Sequence, residues 1–250
     1  MLNDLLLLSG NDIPFPKARL TIHQPTIKEI AYIGEEAFFI GCELLNFSKD
    51  LLSSEDKSNL TNTSNFDVLM SIMRDKKTSA IQKNRVCAMM VLSLIFPDYR
   101  MTIGQDKISF VKTTEAGEQE GSLNKDTYEE FKDILVQMFC LKRNKNDAQD
   151  YNPQNEYAKR LADKMKAGRE KAAKAKGEMQ KISVFSRYVS ILAVGQYKTI
   201  NEVMQYTVYQ IFDEFERYEL KEDFDTYLRA KLAGAKDLKE AENWMKEIHT

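Results

Sequence analysis

Histidine is almost missing from this chain: only His23 and His249 occur, and neither sits at a His-Glu-x-x-His or His-x-His spacing. That shortage argues against a zinc site, a His-based dyad and a His-based triad. Glycine and proline are also scarce, 10 and 5 in 250 residues. So few turn formers disfavour a turn-dense all-β fold and favour long helices. The glycines are scattered, so neither the phosphate-cradling Gly-x-x-x-x-Gly-Lys-Ser/Thr loop nor Gly-x-Gly-x-x-Gly is present. Charge of one sign is not in excess either. The 36 basic and 38 acidic residues leave a formal net charge of −2, too little for strong global attraction to nucleic acid or anionic membrane. No run of about 18 apolar residues occurs, so no membrane span is expected. The opening Leu5-Leu6-Leu7-Leu8 lacks the basic region and length of a signal peptide and reads as a helix turn packing on the core.

Cysteine is limited to Cys42, Cys87 and Cys140, an odd count at wide spacing that fits neither a disulfide framework nor a metal cluster. Each has apolar neighbours and is expected as a buried free thiol. Acidic residues cluster at Asp213, Glu214, Glu216 and Glu219. They alternate with Phe212, Phe215 and Tyr218 and so describe the wet side of an amphipathic helix rather than metal ligands. No catalytic, cofactor-binding or metal-binding residue is assigned, and the chain is expected not to be an enzyme.

What is present is helical patterning. Thr26 and Glu29 have the form of a capping box, in which each side chain satisfies the other's free backbone N–H. The pair opens a helix expected to run to Asn46 with Ile27, Ile30, Ile33, Ala37, Phe38 and Ile40 inward. Further helices are predicted over 66–74, over 79–96 and after Asn124. Arg19 to His23 alternates like a short strand. Arg100-Met101-Thr102-Ile103 and Lys107-Ile108-Ser109-Phe110-Val111 flank Gly104-Gln105-Asp106, which predicts a β-hairpin near 100–111. Ala116 to Gly121 reads as a polar loop. Toward the C-terminus, Gly195 is expected to cap a helix begun near Val184. Thr199/Glu202 and Thr207/Gln210 are two more capping boxes. Phe224 to Leu232 and 237–248 read as separate later helices. The fold class is mainly α with a small β element. It divides into an N-terminal α+β unit (1–141), a polar loop and basic helical arm (142–181), and a C-terminal helical unit (182–250).

Two features could bind partners. The arm carries Lys164, Lys166, Arg169 and Lys171 with almost no large apolar residues. It reads as a solvated arm, a protein contact, or a nucleic-acid or membrane contact, although it lacks the aromatic interleaving of single-strand binders. The aromatics Tyr206, Tyr209, Phe212 and Tyr218 lie in a run that is expected to be largely core. Tyrosine is amphipathic, so part of the run suits a docking surface.

A resemblance rests on Ile191-Leu192-Ala193, Tyr197 to Val203, Thr207 to Tyr218, Tyr227 to Ala235 with Trp244-Met245-Lys246, and Ile22 to Ile30. These stretches resemble bacteriophage tail assembly chaperones and T4-type baseplate hub proteins. The resemblance implies a structural or assembly component of a phage tail or baseplate, with no cofactor and no reaction. Its partners would be other tail or baseplate proteins. It would be made in the bacterial host cytoplasm and, as a structural component, be carried in the virion tail. A chaperone that holds the tape measure protein and leaves the particle is the nearest alternative. A nucleic-acid-binding accessory protein using the basic arm is the alternative from another class.

Overall fold

The computed structural model describes residues 2–48, 63–74, 79–115, 117–141, 183–235 and 240–245. Among them the chain is mainly α-helical with two small antiparallel sheets. Asn3 caps α1 (Asp4–Ser9), which turns Leu7 inward and leaves Leu5 in solvent. The first sheet pairs β1 (Ile13–Phe15) with β2 (Leu20–Ile22) in the register Ile13↔Ile22. Only β2 was expected. Pro14 and Pro16 mask β1, because proline lowers strand propensity even where an edge strand tolerates it.

Thr26 and Glu29 form their capping box: the Thr26 N–H donates to Glu29 at 2.7 Å and the Glu29 N–H returns to Thr26 Oγ1 at 3.2 Å. The helix they open is shorter than expected. Gly34 (φ 84°, ψ 143°) divides it into α2 (Ile27–Ile33) and α3 (Glu35–Leu45). Glycine alone adopts this conformation without strain. The break resets the buried face to Phe38, Cys42, Leu44 and Leu45, and leaves Ile33, Ala37 and Ile40 only half-buried.

The helices α4 (Asn65–Arg74) and α5 (Ser79–Ile95) follow as expected. So does the hairpin of β3 (Arg100–Ile103) and β4 (Ile108–Thr114), with Ile103 opposite Ile108. The predicted polar loop, however, belongs to a third strand, β5 (Gly117–Leu123), paired along the whole of β4. Its residues 117–120 face solvent and only Gly121 and Leu123 are buried, so no alternation marks it. Asn124 then caps α6 (Lys125–Met138). Two α6 side chains satisfy carbonyls at the end of α3. The Tyr128 hydroxyl donates to the Leu45 carbonyl at 2.9 Å, and Lys132 Nζ donates to that of Phe47 at 3.4 Å.

Beyond the arm, which lies outside the described residues, come α7 (Val184–Gly195), α8 (Ile200–Val203) and α9 (Val208–Leu232). Both predicted capping boxes, Thr199/Glu202 and Thr207/Gln210, are present. Two expectations are corrected. The helices predicted over 208–215 and 224–232 are one continuous α9, because no glycine or proline interrupts 208–232. Residues 240–245, inside the predicted last helix, are irregular or in a turn; the rest of that stretch lies outside the described residues.

One connected core runs from Leu7 to Phe215 and draws on both sides of the arm. Phe38 of α3 meets Phe139 at 4.9 Å and Phe185 of α7 at 5.9 Å between ring centres. Of the three thiols, Cys42 and Cys87 are buried as expected, whereas Cys140 is half-buried. Burial, with Asp213 and Glu216 nearby, pushes the Cys140 thiol up to about 12.

His23 is held structurally. Its Nδ1 lies 2.9 Å from Asp12 and its Nε2 lies 3.3 Å from Glu29. Burial alone would lower its pKa, but the hydrogen bonds to the two carboxylates outweigh burial and raise it above 6.5. A raised folded value contributes stability that is complete below the unfolded pKa and is lost as pH climbs through the folded one. The urea midpoint of the wild type should therefore fall more steeply as pH rises from about 6.5 than that of His23→Gln. Parallel pH profiles for the two proteins would show that His23 is not clamped.

Candidate functional site

The two sides of the core meet along a backbone seam. Thr26 bridges to Thr207. The Ile27 N–H donates to the Tyr206 carbonyl at 2.8 Å, and the Lys28 N–H donates to that of Met204 at 2.9 Å. These are first-turn amides of α2, which no intrahelical acceptor can reach. Across the same seam the Glu35 carboxylate takes the Val184 N–H at 2.7 Å and the Ser183 hydroxyl, so α3 caps the start of α7.

Between these two ties the surface opens into an apolar groove of about 400 Å³. Ile27 and Ile30 form one wall, Phe185 and Val189 the other, with Ile200 and Met204 closing one end. Ile200 continues outward into an exposed apolar corner between α7 and α8. Val194 is 79% exposed, Tyr197 98% and Ile200 59%. Three large apolar side chains are thus exposed within seven residues.

The corner has a backbone cause. The Lys198 N–H reaches back to the Ala193 carbonyl at 3.0 Å, which closes α7 in a Schellman motif. That motif puts Tyr197 in the left-handed region at φ 55°, where glycine is usual. Gly195, the expected cap, is instead the last helical residue. A Cβ there would lie 2.4 Å from the Tyr218 ring, so the absence of a side chain lets that ring pack on the helix end.

The expected partner-binding residues fall elsewhere. Tyr209 is only 4% exposed and belongs to the core, so its ring is not offered to a partner. Tyr218 packs on Gly195, and Phe212 meets Tyr188 edge-on at 5.4 Å between ring centres. Tyr206 is half-buried, and its hydroxyl accepts from Lys198. Phe212 and Tyr218 fasten α9 to α7. Lys164, Lys166, Arg169 and Lys171 lie outside the described residues. Val194, Tyr197 and Ile200 are not among the expected partner-binding residues. Their signal was a tyrosine inside the otherwise polar turn Gln196-Tyr197-Lys198-Thr199.

Among the described residues no group of three His, Cys, Asp or Glu side chains could hold a metal ion, and no helix is long and apolar enough to cross a membrane. Residues 176–249 match the model of the YomV second domain, a phage-related family. The matched segment covers less than a third of the chain. It contains α7, α8 and α9, and with them one wall of the groove and the whole Val194–Tyr197–Ile200 corner. No curated protein and no solved structure matches the chain.

Proposed function

We propose that this chain is a non-enzymatic component of a phage tail or baseplate, structural or assembly, that works by binding other tail proteins. The observation that carries the reading is the exposed apolar corner on the segment similar to a phage-related domain. A fully exposed aromatic in a strained backbone position gains nothing for the isolated fold. Burial of that ring by a partner would use it, since buried aromatics dominate interface energetics. Such a protein is made in the host cytoplasm during assembly, and its occupant at the groove is an apolar side chain of another tail protein.

Tyr197→Gly separates binding from folding. Glycine removes the left-handed strain, so the variant should be as stable as the wild type or more stable by about 1 kcal/mol. Its capture of identified tail proteins from infected cells should fall by about tenfold or more. Undiminished capture would reject the corner as the docking surface. Mass spectrometry of purified particles divides the two roles. A stoichiometric band supports the structural component, and absence from particles with recovery of the tape measure protein in the pull-down supports the chaperone. The nucleic-acid reading rests on Lys164, Lys166, Arg169 and Lys171 and gains no support from the described residues.

A further inference from the structure

Helix α9 outruns the core. Its buried residues are Val208, Tyr209, Ile211 and Phe215, all in its first third. The 17 residues from Glu216 to Leu232 extend roughly 25 Å further at the helical rise per residue. Along this part, Leu220, Phe224, Leu228 and Leu232 recur at every fourth position and form an apolar ridge, half-buried at Leu220 and Phe224 and exposed at Leu228 and Leu232. Leu228 is 39% exposed and Leu232 88%. The 240–245 segment lies along one flank of the helix, where Leu220 and Tyr227 also border the groove it forms. Arg217 donates to the Trp244 carbonyl at 2.9 Å, and Glu240 to Glu242 stand across a shallow groove from Asp223, Thr226 and Ala230.

Charge along the helix is graded. Every acid of α9 lies between Asp213 and Asp225, and from Thr226 to Leu232 the only charges are Arg229 and Lys231. A second copy laid parallel would set acid against acid. Laid antiparallel about a two-fold axis at Tyr227, it sets Asp223 against Lys231 and Asp225 against Arg229, with each pair on its own flank of the ridge. In the same register Leu228 of one copy falls between Phe224 and Leu228 of the other. Four-residue ridges interleaved in this way are the commonest mode of helix packing. A two-fold contact must be complementary to itself, and this one is in both shape and charge. Asp223 has no hydrogen bond or ion pair among the described residues. Asp225 already holds Lys221 at 3.0 Å, which neutralises that lysine beside the interface.

We propose that the distal half of α9 is a homodimer interface, occupied by the same segment of a second copy in antiparallel register about Tyr227. This goes beyond the reading as a tail component and does not depend on it. Sedimentation of the full chain should give a dimer. Leu228→Glu, at a position outside the core, should give a monomer with the helical circular dichroism and melting temperature of the wild type. Asp223→Lys should weaken the dimer by roughly tenfold, because two lysines would then face each other on each side. Asp223→Lys combined with Lys231→Asp should restore it. A wild-type monomer at the highest soluble concentration would overturn the proposal, even if the ridge then bound a different protein. A dimer that survives Leu228→Glu would overturn it too, and a double exchange that fails to restore association would overturn the antiparallel register.

Discussion

Phe38→Ala should lower stability by about 3–5 kcal/mol, the usual cost of emptying a buried phenylalanine site. The ring is fully buried and stands at a junction. It contacts Phe39 on its own helix, Phe139 after α6 and Phe185 on α7. Three segments therefore border the cavity, and collapse to fill it would require all three to move. A loss of that size is a large share of the roughly 5–15 kcal/mol available to a folded domain. Urea denaturation followed by circular dichroism would measure it. A loss under about 1 kcal/mol would mean that the Phe38 ring does not join the two sides of the arm.

Gly41→Ala should also destabilise, by up to about 2 kcal/mol net, against the direction that helix propensity alone predicts. Alanine gains roughly 1 kcal/mol over glycine inside a helix. At this position, however, a Cβ would lie 2.5 Å from the Cys87 carbonyl oxygen and 2.6 Å from Val91. The nearer atom is backbone in the middle of α5, so relief requires α3 and α5 to separate along their whole contact. Overpacking of this kind costs about 1–3 kcal/mol and occasionally more, which outweighs the propensity gain. The melting temperature would report it, and a rise would show that the two helices do not pack this closely.

Much of the helical frame was legible because its signals are local. The Thr26, Asn124, Thr199 and Thr207 caps each lie within three residues of their partners, and each begins a helix where expected. The β3–β4 hairpin was legible for the same reason. Failures came where the deciding contact is remote or the signal has two meanings. Gly34 reads as a tolerated helix glycine until its positive φ is seen, and β5 exposes most of its length. Gly195 was expected to end α7 through backbone freedom, whereas it serves the Tyr218 ring 23 residues on. Tyr206, Tyr209, Phe212 and Tyr218 stood out because tyrosine suits interfaces, and the structure buries Tyr209 and half-buries the other three. Which tyrosines reach solvent depends on how α9 crosses α7, and no periodicity encodes that crossing.

The seam also sets an order of events during synthesis. The amides of Ile27 and Lys28 receive their acceptors from Tyr206 and Met204, nearly 180 residues later on the nascent chain. Until that turn leaves the ribosome, the start of α2 has only water for these two donors, and Ile27 and Ile30 lack the α7 wall opposite them. Contacts so distant in sequence are slow to form and leave apolar surface open while they wait. A ribosome stalled before residue 200 should thus hold a chain whose α2 amides still exchange freely with solvent, and one short further stretch of translation should close them.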